Sequence, residues 1–223
     1  MSRRPWISPV YLFVPNIIGY VRVVLAFVAF ALAYVTWVGF VVCYSTSQVL
    51  DAFDGWAARR LNQTTHFGAV LDQVTDRFST AVVLMIDSHL YPQYYFLFLC
   101  LVILDIVSHW FHMYSSVLSG SSSHKKIRAN MLLKLYYETT GVLFVLHAGN
   151  EMCWLTLYAV TQQPPGIIRS AMWGLAVICA PLSLCKQVIN LAQLFNACQE
   201  VVRADELRRA KEGVDDNAKK RGS

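Results

Sequence analysis

Four aspartates in one short stretch of the chain are the residues best suited to chemistry. They are Asp51, Asp54, Asp72 and Asp76. Carboxylate oxygens are the ligands that Mg²⁺ and Mn²⁺ prefer in proteins. Two such ions held close together can bridge phosphate oxygens, neutralise a leaving group and orient an in-line attack. The residue types therefore indicate a divalent-cation site that carries out phosphoryl chemistry.

Two helices joined by a short polar turn would bring these aspartates together. Asp51 and Asp54 share one face of the first helix, and Asp72 and Asp76, spaced by four, share one face of the second. The polar residues 61–66 are typical of a turn, so the two helices should run antiparallel. At ~1.5 Å of rise per residue, the carboxylates would meet roughly 10–15 Å from the turn.

A simpler interpretation is that each aspartate is solvated at a membrane interface. Four aspartates in segments of bilayer length argue against it, because each costs about 2.5–3.5 kcal/mol at the centre of a membrane helix. Their like charges would also repel one another unless a cation neutralised them. We therefore favour a metal site over solvated side chains.

The composition of the whole chain is that of a membrane protein. Of its 223 residues, 56% are hydrophobic and only 15% are charged. The mean hydropathy is +0.42. The net charge of +5 comes from basic residues scattered over loops, so the composition gives no nucleic-acid partner. The six cysteines form no Cys-x-x-Cys pair, which argues against a zinc site or a disulfide framework.

The hydrophobic runs predict an all-α, polytopic membrane protein with six transmembrane helices. The six runs cover about residues 17–34, 36–61, 67–88, 94–114, 132–158 and 168–206. Residues 6–16 mix aromatics with prolines, which is typical of an N-terminal interfacial segment. Because Pro15, Asn16 and Arg22 interrupt the first apolar region, we expect it to be retained rather than cleaved as a signal peptide.

The predicted spans make one membrane domain over residues 1–206, followed by a charged tail over residues 207–223 that we expect to be disordered. Six spans place both termini on the same side of the membrane. Basic residues, including Arg59 and Arg60, concentrate on that side, and Arg169 lies near the other. This asymmetry predicts cytosolic termini and places the aspartates near the cytosolic face.

The spacing of the aspartates resembles the signature of a known family. D-x2-D-G-x2-A-R-x8-G-x3-D-x3-D is the signature of the CDP-alcohol phosphotransferases, and all eight fixed positions match within 26 residues. The eight are Asp51, Asp54, Gly55, Ala58, Arg59, Gly68, Asp72 and Asp76. Two further segments are similar to sequences of the subgroup that forms phosphatidylinositol in eukaryotes. They are F-V-P-N-I-I-G-Y-V-R-V-V at 13–24 and H-A-G-N-E at 147–151.

The resemblance implies a reaction and a role for each motif residue. An alcohol hydroxyl would attack the lipid-side phosphorus of CDP-diacylglycerol and release CMP, with two Mg²⁺ or Mn²⁺ ions bound. Asp51, Asp54 and Asp72 would be metal ligands, and Asp76 would bind metal and accept the proton of the alcohol. The residues expected to contact CDP-diacylglycerol are Gly55, Ala58, Arg59, Thr65 and Gly68.

The acceptor that the resemblance implies is myo-inositol, a polyol that needs several hydrogen-bonding partners. The candidates for its pocket are Ser108, His109, Ser116, Lys126 and Arg128. Glycerol 3-phosphate or serine stays open as the acceptor, although a phosphorylated one would call for more basic residues around the pocket. A cation transporter also stays open, although transport sites usually lie near the midplane at broken helices.

The resemblance also implies a setting for the protein. We expect membrane lipids as its surroundings, a homodimer as its assembly, and the endoplasmic reticulum as its compartment, with the Golgi as the alternative. The basic residues Lys219, Lys220 and Arg221 are similar to a retrieval tail of the endoplasmic reticulum.

Overall fold

The computed structural model describes residues 8–119 and 140–221, which are helical and contain no strand. The all-α prediction is therefore confirmed. The six α-helices are α1 Val14–Leu32, α2 Trp37–Arg60, α3 His66–Leu90, α4 Tyr95–Ser119, α5 Thr140–Thr161 and α6 Ile167–Arg221. Short 3-10 helices at Pro9–Leu12 and Pro92–Tyr94 precede α1 and α4.

Three stretches of helix are long and apolar enough to cross a membrane. They are Val14–Leu32, Pro92–Leu118 and Ile167–Ala210. Many large apolar side chains in the described residues are exposed, among them Phe27 and Trp110, as expected for surfaces that face lipid. These features fit an integral membrane protein.

The six helices follow the order of the six predicted spans, but six crossings stay a prediction. With 24 and 25 residues, α2 and α3 have bilayer length. Because α2 and α3 contain aspartates and arginines, neither is among the three stretches that are apolar enough to cross a membrane. The start of the fifth predicted span, residues 132–139, lies outside the described residues.

The first helix begins earlier, and the last helix ends later, than the sequence predicts. α1 begins at Val14, because Pro15 in its first turn is already set for helical geometry. α6 continues through Arg221 and includes most of the tail that we expected to be disordered. Ala, Glu, Lys and Arg are good helix formers and fill that tail, so a helix that starts in an apolar span can extend into it.

The described residues divide into two compact units. The first lies within Met1–Phe98 and Trp154–Gly174, and the second within Leu99–Cys153 and Leu175–Ser223. The four aspartates belong to the first unit. A single domain over residues 1–206 stays a prediction.

In the first unit, α1 packs against α2 and α3 through a face of small residues. Gly19, Ala26 and Ala29 recur at helical spacing on its buried side, and Arg22 lies among them. Small side chains let helix backbones approach closely, which is how membrane helices associate. Ser47 of α2 donates a hydrogen bond to the backbone carbonyl of Arg22 at 3.0 Å, so the two helices are joined at the level of this arginine.

In the second unit, α5 and α6 meet where Gly149 lies against Leu182. A Cβ on Gly149 would lie 2.5 Å from Leu182 Cδ1 and 2.7 Å from Leu182 Cβ. Nearby, the Asn150 side-chain oxygen accepts hydrogen bonds from Ser183 at 2.9 Å and Gln187 at 3.1 Å. The close approach therefore supports a polar contact between the two helices.

Replacing Gly149 should separate these helices. We expect G149A to cost about 1–3 kcal/mol of stability, because the new methyl group must displace the Leu182 backbone-proximal carbon. At roughly 2–4 °C per kcal/mol, the melting temperature in detergent should fall by several degrees. G174A is the matched control, since among the described residues nothing lies within 4 Å of a Cβ at Gly174. Equal melting temperatures for the two variants would contradict the close packing.

Candidate active site

The turn between α2 and α3 is built from specific end-capping interactions. Asn62 has a φ of 54°, in the left-handed region that asparagine tolerates better than most residues. The Gln63 amide donates to the Ala58 carbonyl at 2.9 Å, which closes α2 in the manner of a Schellman motif. The Gln63 side-chain oxygen accepts from the Val14 amide at 3.0 Å, so the same turn holds the start of α1.

The start of α3 is capped by a threonine that lies over a motif glycine. Thr65 Oγ1 accepts a hydrogen bond from the Gly68 amide at 2.9 Å, which satisfies one of the free amides of the first turn. A Cβ on Gly68 would lie 2.7 Å from Asn16 Oδ1 and 3.1 Å from Thr65 Oγ1. Gly68 is therefore required for α3 to approach the start of α1.

The two pairs of aspartates stand at matched distances from this turn. Asp54 lies six residues before the end of α2 at Arg60, and Asp72 lies six residues after the start of α3 at His66. Asp51 and Asp76 lie about one turn further from it. One carboxylate oxygen from each of Asp51, Asp72 and Asp76 lies within 4.8 Å of the other two, and we call these three side chains the three-carboxylate group.

An arginine from α1 connects all four carboxylates. Arg22 Nη1 donates to Asp54 Oδ2 at 2.7 Å and to Asp72 Oδ1 at 2.6 Å. Arg22 Nη2 lies 2.7 Å from Asp51 Oδ1 and 2.6 Å from Asp76 Oδ1. The Arg22 side chain is fully buried, so its charge is shielded from water and acts on the carboxylates.

The carboxylates have the chemistry and the access that a divalent cation requires. Asp51 and Asp72 are 42% and 45% exposed, so an ion from solution can reach the three-carboxylate group. Oxygen-only donors of this kind suit Mg²⁺ or Mn²⁺. Asp54 is 10% exposed and joins the other three through Arg22. The residues present therefore fit a divalent-cation site.

A cavity of about 180 Å³ adjoins the carboxylates. Four of the five residues expected to contact the CDP lipid line it, together with two of the aspartates. These lining residues are Gly55, Ala58, Thr65, Gly68, Asp54 and Asp72. The fifth, Arg59, is exposed, and its guanidinium lies 3.4 Å from the position of a Cβ on Gly55. The motif thus forms one continuous surface from the acids to the cavity.

The residues proposed for the acceptor pocket lie in the second unit or outside the described residues. Ser108 is fully buried on α4 and donates to the Asp105 carbonyl at 3.1 Å. His109 Nδ1 lies 2.8 Å from that carbonyl. Ser116 is exposed and donates to the His112 carbonyl at 2.9 Å. Lys126 and Arg128 lie outside the described residues, so the acceptor pocket stays a prediction.

Arg22 and Asn16 were not among the predicted site residues. They were interpreted as polar interruptions of an apolar run and as part of the segment 13–24 that resembles the family. The signal was available for Arg22, since an ionisable residue on the small-residue face of a membrane helix marks a functional site by default. Asn16 is 1% exposed, lines the cavity and donates through Nδ2 to the Val10 carbonyl at 2.6 Å. Its contact with Gly68 depends on tertiary structure.

Comparison with known families matches residues 12–181 to the CDP-alcohol phosphatidyltransferases. This chain belongs to the CDP-alcohol phosphatidyltransferase family, whose members are membrane enzymes that depend on divalent metal ions. The predicted family is thereby confirmed, and the three-carboxylate group is consistent with that dependence.

Several relatives with known names align along most of the chain. The CDP-diacylglycerol–inositol 3-phosphatidyltransferase of Schizosaccharomyces pombe is 42% identical over 224 residues, covering 90% of this chain and 94% of that protein. The Mus musculus protein of the same name is 41% identical over 218 residues, covering 91% and 97%. A probable CDP-diacylglycerol–inositol 3-phosphatidyltransferase 2 from Arabidopsis thaliana is 39% identical over 217 residues, covering 92% and 96%. No solved structure gave a significant match.

A methyl group on Gly68 should disturb the wall of the cavity where α3 meets the start of α1. In G68A the Cβ would press on Asn16 Oδ1 and on the capping oxygen of Thr65, which displaces the cavity wall. We expect kcat/KM for the CDP-lipid donor to fall by about tenfold to a hundredfold, because small misplacements of a bound substrate are costly. The measurement is CMP release against donor concentration, with G174A as the matched control. Unchanged kinetics in G68A would contradict the role of this contact.

Proposed function

We propose that this protein transfers the phosphatidyl group of CDP-diacylglycerol to myo-inositol, which yields phosphatidylinositol and CMP. The observation that carries the proposal is the convergence of three carboxylates within 4.8 Å, beside a cavity lined by the motif residues of α2 and α3. The names of relatives about 40% identical over most of the chain support inositol as the acceptor.

The cavity is suited to the CDP part of the donor. Gly55 leaves room for a nucleotide to approach the backbone of α2, since it adds no side chain to the wall, and Gly68 lines the same cavity from α3. Thr65 offers a hydroxyl at the turn, and Arg59 stands at the exposed rim, where a guanidinium can pair with a phosphate. The diphosphate would then extend from the cavity toward Asp54 and Asp72.

The four aspartates would hold two divalent ions, Mg²⁺ or Mn²⁺. When bound, such ions neutralise charge on the diphosphate and help to align it for in-line attack. Asp51, Asp72 and Asp76 supply the converging oxygens, and Asp54 adds a carboxylate on the cavity side. Because α2 and α3 each supply two of the four, both helices must be correctly placed for the site to form.

Asp76 would also accept the proton of the attacking hydroxyl. One of its oxygens, Oδ1, is held by Arg22, and Oδ2 lies 3.6 Å from Arg77 Nη2. These contacts fix the orientation of the carboxylate, which matters because a proton acceptor must lie within hydrogen-bond reach of its donor. A carboxylate is a weak base for a hydroxyl, so correct positioning has to supply much of the rate enhancement.

The remaining parts of the proposal concern the acceptor and the cellular setting. Inositol would arrive from the cytosol and bind near polar residues that follow the motif helices. The candidates are Ser108, His109, Ser116, Lys126 and Arg128. The protein would work as a homodimer in the membrane of the endoplasmic reticulum, with both termini and the active site facing the cytosol.

An acceptor panel tests the proposed reaction. Purified protein with CDP-diacylglycerol and Mn²⁺ or Mg²⁺ should release CMP when myo-inositol is added and should form phosphatidylinositol in equal amount. EDTA should abolish both products. Serine and glycerol 3-phosphate are the comparison acceptors. With either of them we expect CMP release at less than a tenth of the rate seen with myo-inositol. A higher rate with one of them would assign a different acceptor, and CMP release that needs no alcohol would contradict transfer.

Substituting Asp76 tests its role as the proton acceptor. In D76N the amide cannot take up a proton, so the rate of CMP release should fall by about a hundredfold or more. The melting temperature should stay near that of the wild type, because three carboxylates still pair with Arg22. D205N makes the same change at an exposed position of α6 and should keep full activity. A D76N protein with nearly wild-type turnover would refute the assignment.

A further inference from the structure

One guanidinium serves as the common partner of four carboxylates. Both terminal nitrogens of Arg22 are used, and each bonds one carboxylate from α2 and one from α3, at 2.6 to 2.7 Å. The arrangement crosses three helices, because Arg22 belongs to α1. It is therefore a junction of the first unit as well as part of the site.

The charges of this junction do not balance within the protein. Arg22 supplies one positive charge, whereas its four aspartate partners supply four negative ones when all of them are ionised. Without the arginine, the carboxylates would repel one another in surroundings that screen charge poorly. Removal of a buried ionic partner leaves the other charges uncompensated, which is strongly destabilising.

Arg22 bonds one oxygen of each aspartate in the three-carboxylate group. A divalent ion binds carboxylate oxygens at about 2.0–2.6 Å, so an ion on any oxygen that Arg22 contacts would lie within about 5 Å of its guanidinium. Two positive charges at that separation repel, and they also compete for the same oxygen lone pairs. Arg22 therefore holds the aspartates together and at the same time opposes the ions that they bind.

We propose that Arg22 is the resident counter-cation of the site, which keeps the aspartates converged before divalent ions bind and from which those ions must take oxygen ligands. This inference rests on the metal site of the proposed function. The protein can thus assemble its three helices without metal, and metal binding is weakened so that it stays reversible. Arg22 is a positioning residue for the aspartates.

The net charge of the site, with and without metal ions, also bears on binding of the CDP-lipid donor. Two divalent ions would change the net charge of the four aspartates and Arg22 from minus three to plus one. A diphosphate diester carries two negative charges, so it would meet a site of opposite sign only after the ions have bound. Without metal the same site would repel the donor. Arg22 thereby gives the metal-loaded site its net positive charge.

The test compares full-length wild type with R22M, which has a side chain of similar length and no charge. We measure free Mn²⁺ by electron paramagnetic resonance and the melting temperature in detergent with and without EDTA. R22M should melt at a lower temperature in EDTA, gain more from Mn²⁺, and bind Mn²⁺ about tenfold more tightly or better. A purely structural arginine would lower the melting temperature without tightening metal binding.

R208M is the matched control, because Arg208 is exposed on α6 and pairs with one exposed aspartate, Asp205, at 3.5 Å. We expect it to change Mn²⁺ affinity by about threefold or less. If R22M cannot be isolated, the same measurements are made on R22K. Because one ammonium group cannot bond four carboxylates as the forked guanidinium does, we expect a smaller fall in melting temperature and a smaller gain in Mn²⁺ affinity. Unchanged or weaker Mn²⁺ binding in the arginine variant would overturn the proposal.

The two proposals fail in different ways. Wild-type protein that binds Mn²⁺, with R22M binding it no more tightly, would overturn the role of Arg22 and leave the proposed transfer intact. Wild-type protein that binds no Mn²⁺ would overturn both, because the reaction itself requires the site.

Discussion

The structure of the first unit depends on bringing four negative charges into one small volume within a helical membrane protein. Two of the aspartates come from the end of α2 and two from the beginning of α3. Their mutual repulsion has to be offset, and the only compensation supplied from α1 is the fully buried guanidinium of Arg22. The small residues around Arg22 allow α1 to lie close enough to both helices for this side chain to reach all four.

The need to bring four carboxylates together also explains why the turn, the cavity and the aspartates are adjacent. The capped turn fixes where α2 ends and α3 begins, and thereby sets Asp54 and Asp72 at matched levels. Gly68 lets α3 approach the start of α1, which gives the cavity its wall. A nucleotide in the cavity and a cation on the carboxylates would then be neighbours. Donor binding and phosphoryl chemistry therefore rest on one set of helix contacts.

The spacing of the aspartates predicted the helix pair and the convergence of four carboxylates, because both follow from helical periodicity. The structure groups three of them and joins Asp54 to the others through Arg22. The spacing could not reveal Arg22 as their partner, since its contacts join residues 29 to 54 positions apart across helices. Composition correctly indicated an all-α membrane protein. It misjudged the tail, because a charged composition predicts solvation and does not decide whether the backbone is helical. The acceptor residues stay the least constrained, since their candidates were chosen by resemblance.

Anomalous X-ray scattering from crystals of the protein can locate bound Mn²⁺ and so show whether the aspartates form a metal site. We expect a peak at coordination distance from carboxylate oxygens of Asp51, Asp72 and Asp76, beside the cavity that Gly55 and Gly68 line. A peak elsewhere in the protein, or none at these carboxylates under conditions that support CMP release, would contradict the metal site.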